Sequence, residues 1–402
     1  MTKNDFPMQN DLNQNSADSG FSEGDSFSVR SLRELIDLVS GKSIKEDQLS
    51  PDSILTENLP FPFFGIVGQM EMKIALLLSI INPMIGGIIL IGPRGTGKTT
   101  AVRSLLNLLP LVYRSLCHYG CTENDIEAGG MNSVCPDCAK KYAEGSPLSK
   151  SDISRLVELP LNATLENVIG GIDEVNNKTG FNRIKKGILA HADQNLLYVD
   201  EINILPDVII DAILDAAAHG IYTLRRGPIA ASYKARFTLI GSMNPEEGTL
   251  RPQIMDRFGL RVIVRGLEDN LQRFEAYKRV SLFKQNPHQI INQFNPETLH
   301  AKKEIQQARE LLKQVIIPES IANAGVKLIK ELGIASLRAE ITLFEAARTY
   351  AAADARTEVT LEDLKFVAPF SLRLRSSEFI KEYFDQRKKE EQLLNQKLDN
   401  IN

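Results

Sequence analysis

The sequence predicts an α/β fold, a phosphate-loop core around a parallel sheet, followed by an all-α C-terminal domain. Three observations carry this expectation. A short β-branched run, Ile88–Ile91, leads straight into a glycine-rich loop that ends in Gly97-Lys98-Thr99. Two further apolar runs, Leu196–Val199 and 237–241, have the length of buried strands, and the first ends in Asp200-Glu201. In the last third, Ile305, Ala308, Leu311, Leu312 and Val315 recur at helical spacing.

The chain has 402 residues, room for two or three domains. Hydrophobic residues make up 43% and charged residues 24%, which is globular rather than membrane or disordered composition. A formal net charge of −4 argues against a protein held on nucleic acid by bulk positive charge, so no nucleic-acid partner is expected. The first thirty residues are polar and lack both the apolar core of a secretory signal and the basic, acid-poor look of a transit peptide. Residues 1–60 are therefore expected to be a disordered lead, and the protein to be cytoplasmic. No charge falls between Ile74 and Pro93, a stretch about as long as a transmembrane helix. Asn82-Pro83 and Gly86-Gly87 interrupt it, which predicts a helix over 69–81, a turn and a buried strand over 88–91, with no membrane insertion.

Gly92-Pro93-Arg94-Gly95-Thr96-Gly97-Lys98-Thr99 fits G-x-x-x-x-G-K-[ST], between that strand and a helix expected over 99–109 that Pro110 stops. Such a loop turns backbone N–H groups toward phosphates, and the helix N-terminus adds to the field. Lys98 is expected to reach the β- and γ-phosphates and Thr99 to hold Mg²⁺; with Thr100, the loop is the expected ATP site. Asp200 would orient the Mg²⁺ shell, and Glu201 would polarise the water that attacks the γ-phosphate. Asn244, just past the third strand, either reaches toward these carboxylates or simply opens the Asn244-Pro245 turn. Arg251 and Arg257 flank a short helical segment. Each is either a surface arginine or a group projecting into a neighbour's nucleotide site, and the latter requires an oligomer.

The ordered set GPRGTGKT, LLYVDEIN and GSMNPEEGTLRPQIMDRFG resembles the AAA+ ATPases, and among them the family of the ATPase (I) subunit of magnesium chelatase. The likeness extends to 64–69, 157–164, 170–173 and 187–190 and covers roughly 61–375. It implies an AAA+ core with β-hairpin insertions; with the spacing of the last third, the expected organisation is that core over 61–270, a linker at 271–300, a helical lid at 301–375 and a charged helical tail at 376–402. It makes Asn244 the sensor-1 residue, Arg257 an arginine finger acting on the adjacent protomer, and Arg338 the sensor-2 arginine. The hairpin placed ahead of sensor 1 suits 221–237, with Gly227-Pro228 as its turn. The resemblance further implies a hexameric ring whose hydrolysis of Mg·ATP drives Mg²⁺ insertion into protoporphyrin IX. The insertion itself would belong to a porphyrin-binding large subunit, reached through an integrin-like, von Willebrand-type adaptor subunit. The competing reading is a MoxR-like remodelling ATPase that works with such an adaptor on a protein client. A helicase-like motor is disfavoured by the net acidity.

In the expected lid, Pro318 opens a helix over 319–332 that Gly333 ends, a third helix covers 336–356, and Thr360 with Asp363 caps a fourth. The tail after Ser376 reads as a solvated face. All four cysteines lie in a Cys-rich insertion at 114–145, as Cys117-x3-Cys121 and Cys135-x2-Cys138. That spacing suits four thiolates around a structural Zn²⁺, closing a loop with little apolar content; an iron–sulfur cluster and unliganded thiols are the alternatives. His118 reads as a bystander, and His191 as a packed helix residue. The motifs behind the resemblance do not include these cysteines.

Overall fold

In the computed structural model the described residues are 59–173, 183–226 and 229–375. The expected lead up to residue 58, the turn Gly227-Pro228 and the charged tail lie outside them.

The uncharged stretch breaks where its turn residues stand. Helix α1 spans Met70–Ile81, the Asn82 side chain accepts from the Met84 N–H to open a turn, and strand β1 follows over Ile88–Ile91 with every residue buried. Among the described residues no helix is long and apolar enough to cross a membrane. Helix α2 (Lys98–Ser104) is shorter than the expected 99–109, because the chain tightens into a 3-10 turn over Leu105–Leu108 before Pro110.

Strands β2 (Leu111–Ser115) and β3 (Ser149–Ile153) pair antiparallel as a stem, and the cysteine-bearing segment between them carries α3 (Glu123–Gly129) and α4 (Pro136–Ala143). Then come β4 (Leu156–Leu159), α5 (Leu165–Ile169), the antiparallel pair β5 (Gly170–Asp173) and β6 (Arg183–Lys186), α6 (Ile188–His191) and β7 (Leu196–Val199). Helix α7 (Asp207–His219) leads to the hairpin of β8 (Ile221–Arg226) and β9 (Ile229–Lys234), in register Tyr222↔Tyr233, where a hairpin was expected. Strand β10 (Thr238–Met243), α8 (Pro252–Arg257) and β11 (Leu260–Ile263) complete the core. β10 runs past the expected 237–241, since Ser242 and Met243 stay paired with Leu90 and Ile91.

The main sheet is parallel, in the order β11–β1–β10–β7–β4. Alternation along β1 sends Ile88 and Leu90 to one face, against Leu76 of α1, and Ile89 to the other, against Ile209 and Ile213 of α7. A parallel sheet covered on both faces is a three-layer core. Register aligns Ile91 with Met243 and Val199 with Gly241, so β1 and β10 end level, β7 stops two residues earlier, and the loops after all three converge at that edge.

The stretch 271–300, expected as a linker, is instead helical: α9 spans Asn270–Gln285 and α10 spans Pro287–Leu311. Asp269 accepts from the Leu271 N–H and Asn286 from the Gln289 N–H, so each helix carries its own N-cap. α11 (Glu319–Glu331), α12 (Leu337–Ala353) and α13 (Leu361–Leu372) follow close to expectation, with Gly333 at φ +64 after α11 and a capping box of Thr360 and Asp363 before α13. The helical region packs on the core face of α1, where the Asn82 amide donates to Glu345 at 2.8 Å and Thr349 at 3.0 Å.

Candidate ATP site and cysteine module

The converging strand ends bring the sequence motifs into one cleft of about 200 Å³, lined by Arg94, Gly95, Thr96, Gly97, Lys98, Thr99, Thr100, Asp200, Glu201, Ser242, Met243 and Asn244. Gly92 and Pro93 stand at its base, where their carbonyls accept from Lys98 Nζ at 2.7 and 2.8 Å. At Gly92 a Cβ would meet the Val264 carbonyl oxygen at 2.1 Å, so glycine is required there for close packing on the chain leaving β11. Burial lowers the Lys98 pKa, and Asp200, Glu201 and Glu247 pull against that shift.

Thr99 Oγ1 donates to Asp200 Oδ2 at 3.1 Å, joining the phosphate loop to the acidic end of β7 across 101 residues of sequence. Ser242 Oγ donates to the other Asp200 oxygen and accepts from the Glu201 N–H at 3.2 Å. Burial raises the Asp200 pKa, but hydrogen bonds from Ser242, Tyr198 and Thr99 outweigh it and leave the carboxyl below its ordinary value, ionised and able to face a divalent cation. Glu201 sits at φ +48, a conformation that costs a residue with a Cβ about 1–3 kcal/mol. Its carboxylate is 3.1 Å from Arg94, whose other partner is Glu247, and Arg94 is 69% exposed, so this bridge adds little stability. Asn244 opens the turn, its side chain accepting from the Glu246 N–H at 3.3 Å, and the residue also lines the cleft.

Sequence reasoning missed two parts of the site. Ser242 shows no local signal, because only the β10–β7 pairing places it beside Asp200. A second cavity of about 470 Å³ flanks the phosphate loop, walled by Ile66, Val67, Leu267, Ala276 and Val280 beside Gly97 and Thr100. Its apolar walls suit a flat aromatic base next to the phosphates.

Neither expected interface arginine lines the cleft of its own chain. Arg257 lies 2.6 Å from Asp215 and 3.9 Å from Asp211, both on α7, and Arg251 pairs with Asp207 of the same helix. Arg338 is half-exposed and approaches Asp256 at 3.8 Å. Asp256 also accepts from Ser336 and from buried Arg375, each at 2.8 Å, which ties α8 to the lid.

The four cysteines converge as well. Their Sγ atoms all lie within 4.8 Å of one another, and Cys117 and Cys135 are 3.6 Å apart, close to the ~3.8 Å that tetrahedral Zn–S bonds of about 2.3 Å imply. All four are free thiols. Backbone N–H groups of Tyr119 and Cys135 point at the sulfurs of Cys117 and Cys121, at 3.3 and 3.4 Å. Burial pushes the Cys121 thiol up to about 11 and raises Cys138, whereas at Cys117 burial is outweighed by hydrogen bonds from the Tyr119 and Cys121 N–H groups, which lower it. The module's own apolar core is only Cys121, Ile126, Cys138 and Leu148. His118 stays outside the sulfur cluster, its Nε2 3.3 Å from the Tyr233 hydroxyl. His191 ends α6 as a surface residue, yet burial around its ring, with Lys186 nearby, lowers its pKa.

A parallel core with a phosphate loop, an acidic strand end and a polar residue on the next strand, followed by a helical lid, defines an AAA-type ATPase. Family descriptions agree: "AAA domain" matches residues 86–244, and "AAA lid domain" matches 323–397, which takes in part of the expected tail. The chain is 42% identical to the magnesium-chelatase subunit ChlI homolog of Methanocaldococcus jannaschii, covering 79% of this chain and 87% of that one. It is 40% identical to the magnesium-chelatase 38 kDa subunit of Acidiphilium rubrum, over 78% of this chain and 90% of that protein. In fold it matches a putative ATPase from Cytophaga hutchinsonii, with a TM-score of 0.51 at 22% identity over 83% of this chain and 91% of that one. The chain belongs to the magnesium-chelatase ATPase-subunit family, and it is an ATP-hydrolysing enzyme of that family rather than one of the MoxR kind.

Proposed function

We propose that the chain drives Mg²⁺ insertion into protoporphyrin IX by hydrolysing ATP, while a separate porphyrin-binding subunit performs the insertion. The Thr99–Asp200 hydrogen bond carries the site reading, since it joins the phosphate loop to the acid that shares its metal. Bound Mg²⁺, held by Thr99 and Asp200, would neutralise charge between the β- and γ-phosphates. Lys98 and the loop N–H groups hold the phosphates, and Ile66, Val67 and Leu267 take the base. Glu201 accepts the proton of the attacking water, and Asn244 orients that water. Arg257 completes the site of the adjacent protomer in a hexameric ring, and Arg338 approaches the nucleotide when the lid moves. Its partners in this reading are further copies of itself, a von Willebrand-type adaptor and the porphyrin-binding subunit, and it acts in the cytoplasm. Reconstitution with candidate partners, protoporphyrin IX, Mg²⁺ and ATP tests it: metalloporphyrin that forms only with intact Lys98 supports the reading, and ATP turnover with no insertion by any combination refutes it.

The cysteine module is the second part of the proposal, a structural zinc site made by Cys117, Cys121, Cys135 and Cys138. Its donor set is all thiolate, its spacing fits tetrahedral geometry, and its apolar core is too small to hold thirty residues alone. Metal analysis should find about one zinc per chain. A folded preparation that neither contains nor takes up zinc refutes it.

A further inference from the structure

The two thiols of the Cys117-x3-Cys121 loop bracket three residues, His118, Tyr119 and Gly120, and all three touch the β8–β9 hairpin. The His118 and Tyr119 rings each lie 5.6 Å from the ring of Tyr233, which stacks on Tyr222 across the hairpin at 5.5 Å. The Tyr119 carbonyl accepts from the Lys234 N–H at 3.0 Å, at the last residue of β9. Gly120 sits at φ +86 with its Cα against Lys234, where a Cβ would come within 2.8 Å of the lysine Cβ. Just past the hairpin, Arg236 donates to the Gly120 carbonyl at 2.8 Å and reaches Asp125 of α3 at 3.2 Å. Lys234 meets the same carboxylate at 3.0 Å. No equivalent clamp is needed to build the ATP cleft, whose residues stand at the opposite end of β10.

We propose that the metal-bound cysteine module is a clamp on the β8–β9 hairpin, with His118-Tyr119-Gly120 as the contact piece held in shape by two thiolate ligands. The clamp rests on the zinc reading above. A metal that fixes the Cys117–Cys121 loop thereby fixes the surface on which the hairpin is seated, and removing the metal frees the hairpin while the parallel sheet stays intact.

Hydrogen exchange on the full chain tests this, with metal content measured on the same samples. In the zinc-loaded protein, peptides spanning β8 and β9 should be protected, including the Lys234 amide. Chelation should speed exchange of the module and of the hairpin together, by about tenfold or more, with β1 and β7 unchanged. Tyr119→Ala should keep one zinc per chain and a protected module, yet loosen the hairpin, with basal ATP turnover within about twofold of wild type, since Tyr119 is remote from the cleft. Zinc retained at one per chain, with hairpin exchange unmoved by both chelation and Tyr119→Ala, overturns the clamp and leaves the zinc site standing. Failure to bind zinc at all overturns the metal reading and the metal dependence with it. Faster exchange throughout β1 and β7 on chelation would make the metal a requirement of the whole fold, and that also overturns the clamp.

Discussion

Glu201 combines a strained backbone with a carboxylate aimed into the ATP cleft, and the two can be separated by substitution. Glu201→Gln keeps shape and removes the base, so turnover should fall about 10²–10⁴-fold while nucleotide binding, followed by fluorescence or calorimetry, persists. Glu201→Gly should also lose turnover but gain about 1 kcal/mol of stability, because glycine accepts φ +48 freely. A melting temperature that falls in Glu201→Gly would mean the backbone is unstrained. At this scale the sequence was most readable where chemistry is local: the phosphate loop and Asp200-Glu201 are contiguous runs. Ser242 and the base pocket were illegible, since they arise from pairing and from segments as distant as Ile66 and Val280.

Among the elements, α13 offers the sharpest electrostatic test. Asp363, 2% exposed, closes the capping box and accepts two hydrogen bonds from Arg356. Burial raises its pKa, but Arg356 and Thr360 outweigh that and hold the carboxyl below its ordinary value. A depressed folded-state pKa means stabilisation that is full above the ordinary carboxylate range and is lost as pH falls toward the lowered value. Asp363→Asn should therefore destabilise the lid by about 2 kcal/mol at neutral pH, and the difference from wild type in denaturant unfolding should shrink in acid. The cap was legible because Thr360 and Asp363 stand three apart before an apolar run. The helices over 271–300 were not: α9 buries no residue, so no hydrophobic stripe marks it, and Pro287 and Pro296 look like breakers although Pro287 only opens α10.

For the whole molecule, Arg257 tests assembly. Lying outside its own cleft beside Asp211 and Asp215, it serves catalysis only if a second copy presents its cleft there. Mixing Arg257→Ala with Lys98→Ala subunits should restore activity at the interfaces that pair one intact cleft with one intact arginine, giving turnover above the sum of the two separate preparations. Strictly additive rates would remove the finger. The fold class, three-layer core and lid followed from motif order, while the hairpin's second neighbour, the cysteine module, was legible only as a metal spacing and not as something the hairpin rests on.

The stem of that module has a consequence of its own. Ser115 and Ser149 are direct partners across β2 and β3, so residues 116–148 enter and leave the fold through a single rung of an antiparallel ladder. A two-residue turn bridging that rung would excise the module whole, leaving Arg236 its remaining partner Asp193 at 3.1 Å. The segment is thus a cassette on one stem: none of its residues lines the ATP cleft, so its excision leaves every side chain of the catalytic engine in place.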